Sequence, residues 1–144
     1  MNKISKILTP SDTYETGSHQ SGITIPRMYV ESKKSIFPLL SKNIKNPRVI
    51  LNFIDQKNER WKFNLIYYNN KYFGGTKNEY RLTGMKVFID LYKIKSNDII
   101  EIELSTLGEK EYTLKIIENN TKLKKNRAIE NSKSLGKGWF IKVH

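Results

Sequence analysis

The 144-residue chain has no cysteine, two histidines, four prolines, and only 14 acidic residues against 26 lysines and arginines. The missing cysteine excludes a disulfide framework, a thiol nucleophile and any cysteine-ligated zinc or iron–sulfur centre. Two histidines are too few for a histidine-rich catalytic zinc site. No apolar run approaches the roughly 20 residues that span a bilayer. The apolar stretch after Met1-Asn2-Lys3 is too short for a signal peptide. The expectation is a cytoplasmic chain without cofactor or metal. Apolar residues reach 38% and aromatics 11%, which supplies material for one hydrophobic core and argues against wholesale disorder.

Positive charge is what the chain has in excess, at a formal net +12. Such a field draws polyanions by releasing their counterions, which makes nucleic acid the first partner to test. A proteome rich in Lys, Asn and Ile produces the same excess, and lysine-rich faces are often only solvated. Charge alone therefore leaves DNA binding undecided.

Apolar–polar alternation marks a short strand at residues 21–25, and runs of strand-forming residues bounded by turn formers place others at 6–8, 49–54, 60–67 and 80–83. A hairpin of 99–104 with 112–117 turns about Thr106-Leu107-Gly108. In the strand over 60–67, Trp61, Phe63 and Leu65 share one face and Lys62, Asn64 and Ile66 the other. Pro26 suits the first turn of a helix in which Met28, Tyr29, Ile36 and Phe37 recur at roughly helical spacing up to Pro38. A second short helix follows Gly84, with Val87, Phe88, Leu91 and Tyr92 as its apolar face. Short strands, two short helices and no βαβ rhythm indicate a mainly β protein with an antiparallel, barrel-like sheet. Trp61, Tyr67, Tyr68 and Phe73 are expected in its core. Residues 1–118 read as the folded domain. Residues 119–144 read as a basic tail or linker, whose Trp139-Phe140-Ile141 end docks on the rest.

Two glycine-punctuated polar loops interrupt the strand pattern, at residues 15–20 and 69–79. Catalysis finds little support in the chain. Glu109-Lys110-Glu111 lacks the closing lysine of a metal-dependent nuclease motif, Glu101 and Glu103 alternate with Ile on a strand, and His19 has no evident nucleophile or acidic partner. Gly74-Gly75-Thr76-Lys77 resembles a phosphate cradle only loosely, since it lacks the Walker spacing and a strand follows it. Reading base edges calls for Arg or Lys on guanine, Asn or Gln on adenine, and Glu on the cytosine amino group. The second loop offers Lys77, Asn78, Glu79 and Arg81, and the first offers Ser18, His19 and Gln20. An ordinary solvated loop, or an internal Glu79–Arg81 ion pair, accounts for the same residues about equally well on chemistry alone.

At these loops the chain resembles a known family. Glu15-Thr16-Gly17-Ser18-His19-Gln20-Ser21-Gly22-Ile23-Thr24-Ile25-Pro26 is similar to the ETG-x-HQ-x-G-[apolar]-x-IP signature of the EcoRII-type amino-terminal effector domain. Ile66-Tyr67-Tyr68-Asn69, followed by Phe73-Gly74-Gly75-Thr76-Lys77-Asn78-Glu79-Tyr80-Arg81-Leu82-Thr83, resembles its second motif, with Lys77 standing where the family has Arg. The resemblance covers residues 6–118 and implies a B3-like DNA-binding pseudobarrel, an open and strongly curved barrel whose two arms grip the major groove. It implies a non-catalytic recognition domain of a bacterial restriction endonuclease that reads a short site of CCWGG type. Cutting would fall to a separate nuclease domain, fused beyond His144 or associated. The implied DNA-binding residues are Ser18, His19 and Gln20 on the first arm and Gly75, Thr76, Lys77, Asn78, Glu79, Tyr80 and Arg81 on the second. Gly75 and Tyr80 depart from the lysines of a restriction-enzyme relative, and Thr24 replaces an aromatic hydroxyl. The rival expectations are a self-sufficient Mg²⁺-dependent nuclease, or a single-strand or RNA binder that stacks bases on Tyr and Phe.

Overall fold

Alternating apolar residues fold here as nine strands of one sheet, in a computed structural model that describes residues 3–15, 22–105, 110–118 and 129–143. The strands are β1 (Lys3–Ile7), β2 (Ile23–Ile25), β3 (Arg48–Asp55), β4 (Arg60–Asn69), β5 (Asn78–Thr83), β6 (Ile99–Ser105), β7 (Glu111–Ile117), β8 (Ser132–Gly136) and β9 (Trp139–Lys142). Two short helices, α1 (Arg27–Val30) and α2 (Lys86–Leu91), and a 3₁₀ turn over Asn70–Phe73 lie between the strands. The sheet order is β2-β5-β4-β3-β7-β6-β1-β9-β8. Every junction is antiparallel except β3 with β7, which runs parallel through Phe53↔Tyr112, Ile54↔Thr113 and Asp55↔Leu114. This one parallel seam lies outside the all-antiparallel expectation. No helix among the described residues is long and apolar enough to cross a membrane.

The inward faces of the curled sheet supply the core. Phe53, Phe63, Leu65, Leu82, Ile102 and Leu114 are buried together. Rings run through it in contact, Phe53 against Phe63 at 5.0 Å and against Tyr112 at 5.1 Å, with Phe37 stacked on Tyr112 at 5.8 Å. Offset and edge-to-face ring pairs add to plain area burial by about 0.5–1.5 kcal/mol each.

The two ends of the sheet meet across the barrel. β2 stands at one end, yet its Thr24 carbonyl accepts a hydrogen bond of 2.8 Å from Trp139 Nε1 on β9 near the other. Trp139 itself is buried in the core. A side chain, rather than a strand ladder, thus bridges the two ends of the open barrel. The stretch expected as a docked tail contributes β8 and β9 to this sheet.

The helices differ from their expected forms. The first ends at Val30, because the Ser32 hydroxyl donates to the Tyr29 carbonyl at 2.7 Å and the Ser35 hydroxyl bonds the backbone of Phe37. Serine side chains that compete for backbone groups favour turns over helix continuation. Met28 is 85% exposed, whereas Ile36 and Phe37 are buried from irregular chain. In α2 the buried residues are Phe88 and Ile89, while Val87 and Leu91 are exposed. Packing of Phe88 against Trp61 at 5.2 Å and Phe63 at 5.9 Å chooses the face. Phe73, expected in the core, is 45% exposed, and Tyr68 and Trp61 are half-buried.

Buried Asp55 locks α2 to the β3–β4 turn. Its carboxylate accepts from Lys57 N at 2.8 Å, Glu59 N at 3.0 Å, Trp61 Nε1 at 2.9 Å and the Tyr92 hydroxyl. Burial raises its pKa, but the bonds from Tyr92, Trp61 and the two amides outweigh that and hold it below the ordinary value. The same bond pushes the Tyr92 hydroxyl up to about 12. A carboxyl that sheds its proton more easily when folded adds stability above its ordinary pKa. That contribution disappears as pH falls through the folded value.

Two outcomes are expected in urea denaturation. Trp139→Phe keeps the ring but leaves the Thr24 carbonyl without its donor, lowering stability by about 1–3 kcal/mol. Asp55→Asn weakens the fold at neutral pH and flattens the loss of stability on acidification relative to the parent chain.

Candidate nucleic-acid interface

The second loop leaves β4 at Asn69, makes the 3₁₀ turn, and re-enters the sheet at Asn78. Gly75 N donates to the Asn70 carbonyl at 2.6 Å. A Cβ on Gly75 would lie 2.6 Å from Asn70 Cβ, so this close approach admits glycine and no larger residue without a shift. Asn78 Oδ1 accepts from Lys71 N at 2.9 Å and thereby braces the loop across its neck. Below the loop, Asn69 is fully buried. Its Oδ1 accepts from Asn46 N at 2.8 Å and its Nδ2 donates to the Ile44 carbonyl at 2.6 Å. One side chain thus staples residues 44–46 to the base of the loop and brings Lys45 to its side.

The first loop is anchored at both of its described ends. Before it, the buried Lys6 ammonium pairs with the buried Asp12 carboxylate, which also accepts from Thr9 N at 2.9 Å. Glu15 accepts from Ser96 N at 3.4 Å, and this hydrogen bonding holds its carboxyl below the usual range. After the loop, Gly22 has φ +80°, and a Cβ there would lie 2.1 Å from the Leu82 carbonyl oxygen. The chain therefore returns pressed against β5, and Thr24 of β2 stands opposite Arg81. Ser18, His19 and Gln20 lie outside the described residues.

Cross-strand register sorts the second-loop residues onto two faces. Tyr68 pairs with Glu79, Ile66 with Arg81 and Asn64 with Thr83, and these six share the outer face. There Glu79 and Arg81 form an ion pair, Arg81 Nη2 lying 3.1 Å and 3.3 Å from the two carboxylate oxygens. A groove of about 720 Å³ opens in front of them, lined by Lys45, Tyr68, Asn70, Phe73, Gly74, Gly75, Thr76, Lys77, Glu79 and Arg81. Thr76 and Lys77 stand exposed at its edge.

Tyr80 points the other way. It is 1% exposed, its ring stacks on Tyr67 at 4.3 Å and an interplanar angle of 7°, and its hydroxyl accepts from Leu40 N at 3.2 Å. Burial raises its pKa. The loop position implied as a contact thus carries a core side chain that stiffens the strand behind the groove. Tyr68, Lys45 and Asn69 were missed by the sequence reading. Strand parity from Glu79 and Arg81 signals Tyr68, whereas Lys45 depends on a tertiary staple that has no local pattern.

Two acidic residues elsewhere on the sheet are paired. Glu101 pairs with Lys3 at 3.3 Å, and Glu111 pairs with Arg60. Among the described residues, no group of three or more Asp, Glu or His could hold a metal ion.

The fold is similar to that of an Arabidopsis FUS3–DNA complex, with TM-score 0.60 and 19% identity over 81% of this chain and 96% of that one. It is equally similar to the UbaLAI restriction endonuclease B3 domain with cognate DNA, with TM-score 0.60 and 16% identity over 96% of this chain and 84% of that one. The N-terminal domain of Helicobacter pylori LlaJI.R1 follows at TM-score 0.51 and 16% identity, covering 99% of each chain. These likenesses define the class as an open, strongly curled B3-like pseudobarrel. Residues 2–93 match the model of the family described as restriction endonuclease EcoRII, N-terminal, and the chain belongs to that family. The type II restriction enzyme EcoRII of Escherichia coli is 37% identical over 81 residues, which are 54% of this chain and 19% of that enzyme.

Asn69→Ala removes a fully buried side chain and leaves the Asn46 amide and the Ile44 carbonyl, both in part-buried bonds, without this partner. It should lower stability by about 3 kcal/mol in chemical denaturation.

Proposed function

We propose that this chain is the DNA-recognition domain of a restriction endonuclease, binding duplex DNA sequence-specifically in the major groove with its two loops. The carrying observation is the groove that Lys77, at the end of the glycine-shaped loop, shares with the Glu79–Arg81 pair on β5. Arginine can bridge guanine O6 and N7, and a glutamate beside it can accept from a cytosine amino group. Gly75 and Thr76 offer close backbone approach to phosphate, and Asn78 holds the loop in register. Ser18, His19 and Gln20 supply the first arm. Family membership and the DNA partners named for two similar structures support the reading. The net charge of +12 supplies attraction without sequence information. On this reading the domain does not cut. It works in the bacterial cytoplasm with a fused or associated nuclease domain, and a CCWGG duplex is the first site to try.

Selection from a randomised duplex pool, followed by sequencing, gives the site. On it, Glu79→Ala or Arg81→Ala should cost about 1–3 kcal/mol while random duplex binding barely changes. Lysine-to-alanine changes at phosphate-facing positions should weaken all sequences alike and lower the salt slope by about one unit each. Equal losses on cognate and random duplex for Glu79→Ala and Arg81→Ala would remove the readout assignment. Plasmid cleavage by the chain with Mg²⁺, or preference for single strands or RNA in competition, would favour the rival readings.

A further inference from the structure

A second cleft, of about 920 Å³, shares no lining residue with the groove in front of Glu79 and Arg81. It lies between the start of β1, the α1 segment with the turn after it, and the β8–β9 hairpin. Its floor is apolar, made by buried Tyr29 and Phe140, half-buried Leu135 and Ile141, and exposed Met28. Its rim carries Lys3, Lys33, Lys34, Lys133 and Lys142, and no carboxylate lines it among the described residues. Lys3 is paired with Glu101, and Lys142 donates to the Glu130 carbonyl at 2.7 Å. Lys33, Lys34 and Lys133 enter no ion pair among the described residues.

An apolar centre ringed by charge is the anatomy of a protein-binding patch, and an exposed methionine adapts readily to a partner's side chains. A duplex backbone would set charged phosphates against that apolar floor and leave it unused. We propose that this cleft docks an acidic segment of a partner protein. Apolar side chains of that segment rest on Met28, Leu135 and Ile141, and its carboxylates meet Lys33, Lys34 and Lys133. This site is independent of the DNA-binding reading.

The test uses the full chain and a short fluorescent peptide in which Glu alternates with Leu and Phe, beside the same peptide with Gln in place of Glu. The acidic peptide should bind in a salt-sensitive manner and the Gln peptide much more weakly. Combined Lys33→Ala, Lys34→Ala and Lys133→Ala should raise the peptide Kd by about tenfold, as three modest surface pairs would. Met28→Asp, which acts through the floor rather than the rim, should also weaken the peptide. A random-sequence duplex should not displace it. Equal binding of the two peptides, or an unchanged Kd in both variants, overturns the proposal. Displacement by the duplex, or a parallel loss of duplex affinity in the lysine variant, assigns these lysines to a nucleic-acid footprint and overturns it as well.

Discussion

The architecture turns on the 2.8 Å hydrogen bond between Trp139 Nε1 and the Thr24 carbonyl. A nine-stranded sheet with its natural twist tends to curl, yet curling alone does not fix how far apart its ends come to rest. Trp139 fixes it by filling the core with its ring and seating its one donor on the opposite end of the sheet. β2, which receives that bond, is only three residues long and is otherwise tied to β5. The short strand that receives the first loop is therefore positioned from both sides. Its place relative to the second loop follows, because Gly22 presses on Leu82, one residue from Arg81.

A common device recurs around this frame. Asp55, Asn69 and the Lys6–Asp12 pair are buried polar groups, and each ties irregular chain to a strand. A polar side chain in a low-dielectric place tolerates few alternatives, since any other arrangement leaves hydrogen bonds unmade. Apolar packing supplies the driving force for collapse, whereas these satisfied polar groups specify one loop geometry. Two of the three lie at the roots of the two loops, Lys6–Asp12 before the first and Asn69 below the second. That is where a binding surface must be stiff if it is to discriminate between similar partners.

Much of the sheet was legible because its signals are local. Alternation in β4 puts Phe63 and Leu65 on one face, and the β6–β7 hairpin announces itself by two apolar runs about a glycine. Glycines flagged both loops, and the geometry makes the reason concrete at Gly75. The illegible parts depend on distant residues. The exposed face of α2 is set by an aromatic cluster assembled from β4, and α1 stops early because serines take up backbone groups. Tyr80 illustrates a third case. Family pattern placed it on the contact surface, while simple alternation with Glu79 and Arg81 puts it on the opposite face, buried on Tyr67.

The Glu79–Arg81 ion pair also has a kinetic consequence on the proposed function. Each group satisfies the other, so this pair adds no unmet charge of its own to the groove, whose lining lysines Lys45 and Lys77 attract any sequence alike. Encounter is then governed by the lysine-rich exterior, which treats all sequences alike. Only a matching base edge gives the pair a reason to exchange partners, and that exchange adds bonds which must break before the protein leaves. Selectivity arising this way is expressed as residence time on the site, not as speed of arrival.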